Sequence, residues 1–233
     1  MLPLERVGAG IEVLLCSGFP TQLLLIAVMN GLGMRIFTDG GSLSPAYVFT
    51  LTLLDTVFVL GLVVFFLYAH HEQPRRVLIG SRPILREALL GILLMPVMLV
   101  LVAILLAIVL TVAPELHDVP RNPLQDMLQT RHDALVFAVV VMFAGGVREE
   151  VQRGFILRRF EQYLGGGPLG VVVFSMLFGL GHLDQGTDAA LATAILGAIW
   201  GALYLVRRSI VAPMVSHAGF NLAQLIKFAA LGA

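Results

Sequence analysis

Charged residues are scarce in this sequence, and cysteine is nearly absent. Asp, Glu, Lys and Arg together account for 13% of the 233 residues, whereas about 25% is usual in a soluble domain. The single cysteine, Cys16, excludes an internal disulfide and leaves the redox compartment open. The formal net charge is +0 and the chain has no basic run, so the sequence gives no sign of a nucleic acid partner.

What the chain has in excess is apolar sequence, with 58% hydrophobic residues and a mean hydropathy of +0.92. A membrane-spanning helix needs about 20 apolar residues. Runs of this kind lie at about 8–33, 46–69, 87–113, 133–163, 168–182, 189–206 and 209–229. We therefore predict an all-α fold, a polytopic transmembrane bundle of about seven helices (six to eight) around a polar cavity at mid-membrane. Residues 1–233 are expected to form a single integral membrane domain.

The arginines of the connecting segments predict the orientation. They concentrate in three connections that a seven-helix chain places on one side, at 70–86, 158–167 and 206–209. Cytoplasmic connections usually carry the excess of Lys and Arg. We therefore expect the N-terminus in the cytoplasm and the C-terminus outside, in a prokaryotic plasma membrane.

Charge returns in the stretch GGVREEVQRGFILRRF, residues 145–160, inside the fourth apolar run. Glu149 and Glu150 stand side by side, and Arg153 follows within about one helical turn. Ionisable groups in a membrane helix are costly to insert and are functional by default. This stretch is therefore the first candidate for a functional site.

Two of the six histidines, His182 and His217, also lie in apolar context, and Asn221 follows His217 by four residues. Residues four apart stack on one helical face, so His217 and Asn221 point the same way. A rise of about 1.5 Å per residue puts Glu149 at a depth that overlaps with the depths of these three side chains. We therefore predict that an acid, two imidazoles and a carboxamide meet in one cavity.

The same residues also admit a purely structural interpretation. A membrane histidine with an asparagine one turn away often links helices by hydrogen bonds, and Glu149 with Arg153 suits an ion pair within one helix. Glu12 and Asp55 also lie in apolar runs. We expect structural roles for both, with Asp55 paired to a cation elsewhere in the bundle. The combination of acids, histidines and asparagine favours a function for the rest.

Three motifs, in order along the chain, carry a family resemblance: EEVQR (149–153), FGLGH (178–182) and HAGFN (217–221). With them the sequence resembles the CAAX protease and bacteriocin-processing family, also called the Abi or type II CAAX prenyl endopeptidase family. The family usually places an arginine five residues after the first glutamate, whereas Arg153 follows Glu149 by four. We expect Arg153 and Phe178 to support the site, and the helices of residues 133–229 to form the catalytic core.

The resemblance implies an intramembrane endopeptidase acting on a prenylated CAAX-type tail or a membrane-associated peptide. Glu149 would activate water, with Glu150 beside it as a second candidate acid. Peptide hydrolysis also needs donors for an oxyanion, which His217 and Asn221 would supply from one helical face. His182 would orient the water or protonate the leaving amine.

Alternatives to this reading remain open. No cofactor is favoured, but Glu149, His182 and His217 would form a His₂Glu set of the kind that binds catalytic zinc. The alternative function is a non-catalytic membrane scaffold or immunity-type protein that binds a partner in the same cavity. A small transporter is disfavoured because the sequence shows no repeated halves. The expected partners are a peptide or protein substrate, prenylated or not, and the lipid bilayer.

Overall fold

The computed structural model describes residues 3–119, 122–126, 128 and 130–231, and these residues form helices and no β-sheet. The α-helices are α1 (Pro3–Leu15), α2 (Phe19–Gly31), α3 (Pro45–Ala69), α4 (Ile84–Val112), α5 (Pro123–Asp126), α6 (Arg131–Val141), α7 (Glu149–Tyr163), α8 (Gly167–Leu180), α9 (Thr187–Arg207) and α10 (Val211–Leu231). Short π-helices lie at Arg75–Ile79 and Met142–Arg148, and short 3₁₀ helices at Pro114–Leu116 and Leu183–Gln185. The all-α prediction is confirmed.

Each of the seven apolar runs is helical, but the runs differ in length. In the described part of the chain, α3, α4 and α9 are long and apolar enough to cross a membrane, and α1 with α2 makes a fourth span if the bent pair is counted as one. The shorter α8 is also apolar. The chain is thus an integral membrane protein with spans of unequal length.

The prediction of one unbroken helix over 8–33 is wrong, because the chain bends by 44° between α1 and α2. Gly18 adopts a φ of 87°, a left-handed conformation that glycine tolerates best. Pro20 has no N–H, so it cannot donate to the carbonyl of Cys16 four residues earlier. The side chain of Gln152 donates to that carbonyl instead, at 2.7 Å. The break therefore ties the first helices to α7.

The predicted helix over 133–163 also contains an irregularity that the apolar pattern did not reveal. Between α6 and α7 lies the seven-residue π-helix Met142–Arg148. Gly145 and Gly146 stand in its middle, and glycine costs about 1 kcal/mol relative to alanine in a regular helix. Local π-helical turns are rare in proteins overall, but those that occur are frequently found at functional sites. Here the wider turn ends one residue before Glu149.

Helix α7 lies at the centre of the bundle. Every side chain from Glu150 to Leu157 on this helix is buried, and α1, α3, α8 and α9 all pack against it. The other extensive contacts are those of α8 with α9 and of α10 with α4. A charge on α7 therefore requires a partner within the protein, because burying an unpaired charge is costly.

Arg148, the residue just before α7, has such a partner in Asp55 on α3. Its carboxylate lies 2.5 Å from the guanidinium of Arg148 and also accepts hydrogen bonds from Thr21 and Gln22. The expectation that Asp55 pairs with a cation elsewhere in the bundle is confirmed. The pair connects α2, α3 and the end of the π-helix.

A second buried network surrounds Arg159 at the other end of α7. The Arg159 side chain is fully buried and donates to Glu12 at 2.6 Å and to Glu72 at 2.5 Å. Glu12 also lies 2.6 Å from the Nε2 atom of His70. Glu12 thus has the structural role that we expected for it.

Asp55→Asn is expected to lower the free energy of unfolding by about 3 kcal/mol, because it leaves the buried Arg148 without a carboxylate. Thermal unfolding of the purified protein in detergent measures the change. Asp39→Asn is the matched control: its carboxylate lies 3.6 Å from Arg35 in a fully exposed pair, whose loss should cost less than about 1 kcal/mol. Equal melting temperatures for the two variants would contradict the role assigned to Asp55.

Candidate active site

The two adjacent glutamates at the start of α7 have different surroundings. Glu150 is 1% exposed, and its Oε1 atom accepts from Nδ1 of His217 at 2.8 Å and from Arg153. The Glu149 side chain is 17% exposed, and its carboxylate lies 3.7 Å from Nε2 of His217. No hydrogen bond to the Glu149 carboxylate is found among the described residues. Water can therefore reach the first carboxylate, whereas protein groups occupy the second.

Arg153 pairs with Glu150, three residues earlier, and not with Glu149, four residues earlier. Its guanidinium is fully buried and lies over the rings of Phe174, Phe178 and Trp200 at 5.2, 5.0 and 5.7 Å from their centroids. These cation–π contacts draw the side chain toward α8 and α9. Arg153 therefore still pairs with a glutamate, although its spacing from Glu149 departs from the family pattern.

His217 on α10 is fixed by an aromatic stack as well as by Glu150. The ring of Trp200 lies 3.9 Å from the imidazole at 19° between the planes. Nε1 of Trp200 donates in turn to the hydroxyl of Ser216 at 3.2 Å. Trp200 was not among the site residues predicted from the sequence. Its signal in the sequence was modest: it is the one tryptophan of the chain and lies within a helix of small residues.

His182 lies just after α8, where a hydrogen bond fixes its tautomer. Its Nδ1 atom lies 2.8 Å from the carbonyl oxygen of Phe178, and because a carbonyl only accepts, Nδ1 carries the proton. Nε2 therefore remains available for a substrate or a water. The Phe178 ring makes edge contacts with both imidazoles, with centroids 4.9 Å from His182 and 6.2 Å from His217.

The segment after His182 is held by side chains from the 113–122 connection. Asp118 accepts from the backbone and the hydroxyl of Thr187 at 2.8 and 2.6 Å, and His117 lies 2.7 Å from Asp188. The hydrogen bonds from the Thr187 side chain and backbone lower the pKa of Asp118 below its ordinary value. These contacts hold residues 183–188 next to His182.

Asn221 lies one turn after His217 and faces the π-helix. A Cβ atom on Gly145 would collide with the amide nitrogen of Asn221 and would stand 4.0 Å from Nε2 of His217. Within the described part of the chain, the Asn221 side chain makes no hydrogen bond. Its amide is therefore an unused donor beside an imidazole.

The structure gathers all of the site residues that the sequence predicted, and it divides them into two groups. The side chains bound within the protein are Glu150, Arg153, Phe178 and the Nδ1 edge of His217. Those with free polar atoms are Glu149, Asn221 and the Nε2 edge of His182. One carboxylate, one imidazole nitrogen and one amide in this cluster thus make no hydrogen bond among the described residues.

Among the residues that the structure describes, no three His, Cys, Asp or Glu side chains are grouped closely enough to hold a metal ion. Glu149, His182 and His217, which the sequence suggested as alternative zinc ligands, are therefore not grouped in this way.

A family model described as type II CAAX prenyl endopeptidase Rce1-like matches residues 131–223. The match runs from the first residue of α6 into α10 and includes all three motifs. It confirms the resemblance seen in the motifs and supports a CAAX-type intramembrane protease in general. No curated protein and no solved structure is significantly similar to the chain.

Gly146→Ala is expected to lower the free energy of unfolding by about 1–3 kcal/mol, because the added methyl group would lie 2.7 Å from Cβ of Ala218 on α10. The comparison is Gly61→Ala in α3, where an added Cβ has nothing within 4 Å; alanine's higher helix propensity makes that change neutral or stabilising. Thermal unfolding of both variants in detergent tests the contact. A Gly146→Ala protein as stable as Gly61→Ala would show that the π-helix does not need this close approach.

Proposed function

We propose that the chain, whose residues 131–223 match a family model described as type II CAAX prenyl endopeptidase Rce1-like, hydrolyses peptide bonds at the membrane with water activated by Glu149. The observation that carries this proposal is the contrast between the two glutamates. Glu149 is accessible and has no hydrogen-bond donor among the described residues, while Glu150 is bound to Arg153 and His217.

This contrast supports Glu149, and not Glu150, as the proposed base. A general base has to reach the water that it deprotonates and has to accept a proton readily. The Glu150 carboxylate is 1% exposed and shared by two cationic or protonated groups, which oppose its protonation. Glu149 is more exposed and makes no hydrogen bond among the described residues; its one ion-pair contact is with Nε2 of His217 at 3.7 Å.

The attacking water would lie between Glu149 and Nε2 of His182. One hydrogen of this water points to the carboxylate and the other to the imidazole nitrogen, so that the oxygen lone pair faces the scissile carbonyl carbon. As the oxygen attacks, its proton moves to Glu149. The C–N bond then breaks, and the proton passes from Glu149 to the leaving amine nitrogen. The products are an acid and an amine, as hydrolysis requires.

The oxyanion would be stabilised by Asn221, whose side-chain amide is an unused donor beside the imidazole of His217. Nδ1 of His217 faces Glu150 at 2.8 Å, and this contact holds the ring in place next to the amide.

The substrate class follows from the position of the site. The site lies between helices that carry large exposed apolar side chains, among them Met176 and Leu177 on α8. We propose a peptide or protein segment that reaches the protein from the bilayer, such as a tail with a prenylated cysteine.

Glu149→Gln is expected to lower kcat by about 100-fold or more, because the amide cannot accept the proton of the water. The assay is cleavage of a quenched peptide library, with and without a farnesylated cysteine, by purified protein. Glu161→Gln is the control on the same helix, since Glu161 pairs with Arg208 outside the site; it should cleave at the wild-type rate.

Three results would count against this assignment. Full activity of a folded Glu149→Gln variant would exclude Glu149 as the base. Loss of activity in the wild-type protein after chelator treatment, with recovery on adding zinc, would favour the metal alternative. No cleavage of any peptide, together with stable binding of a peptide by the same residues, would favour the non-catalytic scaffold.

Gly145→Ala is expected to lower kcat by about 100-fold while leaving the melting temperature nearly unchanged. The added Cβ displaces only the flexible end of Asn221, and loss of one oxyanion donor typically costs 10²–10³-fold. Gly61→Ala again serves as the control and should retain full activity. Wild-type kcat in Gly145→Ala would mean that the position of the Asn221 amide does not matter for the reaction.

A further inference from the structure

A second polar site lies in the turn between α3 and α4, well separated in sequence from the glutamates. It is a cleft of about 330 Å³, within the range typical of small-molecule sites. Its charged lining consists of three arginines, Arg75, Arg76 and Arg82, with Gln73 and Ser81 between them. We call it the arginine cleft.

The carboxylates near this turn are already used by other arginines. Glu72 binds Arg158 and Arg159, at 2.8 and 2.5 Å. Glu87 at the start of α4 is held by Arg207 at 2.5 Å. Glu161 on α7 is held by Arg208 at the same distance.

The three arginines of the cleft therefore carry surplus positive charge. Among the described residues, none of them has a carboxylate partner. Arg82 makes one hydrogen bond, from Nε to the backbone carbonyl of Arg207 at 2.9 Å. This bond orients the guanidinium and leaves its terminal N–H groups free.

The cleft stands on an anchored part of the backbone. The hydroxyl of Tyr204 donates to the carbonyl of Val77 at 3.1 Å, and the backbone N–H of Ile210 donates to the carbonyl of Leu78 at 2.8 Å. Leu78 is 7% exposed and belongs to the core. The arginines thus project from a turn whose backbone is held in place by these hydrogen bonds. Arginines on a loop without such contacts would serve only to set the orientation of the protein in the membrane.

The location of the cleft favours one class of ligand. The turn joins α3 and α4, both long and apolar enough to cross a membrane, so it lies at the level of the lipid headgroups. Ile84 lines the cleft, and the first turn of α4 also exposes Leu85 at 71%. A ligand with a phosphate and an apolar chain would meet guanidinium donors and an apolar helix face at once.

We propose that the arginine cleft binds the headgroup phosphate of an anionic phospholipid, with the acyl chains along α4. The guanidinium groups bind the phosphate oxygens, and Ser81 and Gln73 offer further donors. The lipid holds the turn against the α9–α10 connection. This binding does not involve the glutamates and is expected in the Glu149→Gln protein as well.

The test measures lipid affinity with two matched double variants in detergent micelles. Arg75→Gln/Arg76→Gln removes two charges from the cleft, and Arg6→Gln/Arg86→Gln removes two exposed arginines at the same end of the helices but outside the cleft. Native mass spectrometry follows the titration of each protein with phosphatidylglycerol and with phosphatidylcholine. Melting curves confirm that both variants are folded.

The wild-type protein and the outer double variant are expected to bind phosphatidylglycerol in preference to phosphatidylcholine. The cleft double variant should bind phosphatidylglycerol about 30-fold more weakly and phosphatidylcholine as before. Equal losses in the two double variants would overturn the proposal in favour of diffuse surface charge. Equal wild-type affinity for the two lipids would also overturn it, as would complete displacement of the lipid by millimolar inorganic phosphate, which would identify a soluble anion as the ligand.

Discussion

The carboxylate of Glu150 is the shared acceptor on which the rest of the site depends. It lies at the centre of the bundle, where a charge without a partner is not tolerated, and it binds Arg153 from its own helix and His217 from α10. Arg153 in turn lies against aromatic rings of α8 and α9. One buried carboxylate thereby helps to fix the relative positions of four helices, α7, α8, α9 and α10. Among the described residues, its neighbour Glu149 makes no hydrogen bond.

The π-helix before α7 determines how closely α10 can approach Glu149. Gly145 and Gly146 present no side chains to Asn221 and Ala218, so the backbone of the π-helix lies directly against the face of α10 that carries His217. A regular helix with larger residues at these positions would separate the amide donor from the carboxylate. The close approach and the free polar groups thus have one origin, because glycine supplies both the wider turn and the space.

Much of the architecture was predictable because a membrane imposes a simple rule on sequence. Apolar runs of sufficient length become helices, and intramembrane charges have partners or functions. This rule located α3, α4 and α9 and identified Glu149, His182 and His217 as candidates. It failed at Cys16–Gly18, where Pro20 removes one hydrogen bond, and at Met142–Arg148. Both irregularities are compensated by contacts with distant residues, namely Gln152 and α10, which no local pattern contains.

The sequence by itself determined the fold class, the candidate site residues and their spacing along each helix, because these depend on composition and on helical periodicity. Only the tertiary structure decided which atoms meet. It showed that Arg153 pairs with Glu150, that Trp200 stacks on His217, and that Glu149 makes no hydrogen bond among the described residues. The physical reason is that these contacts join different helices. Their geometry is set by how closely those helices pack, and that depends on all of the side chains between them.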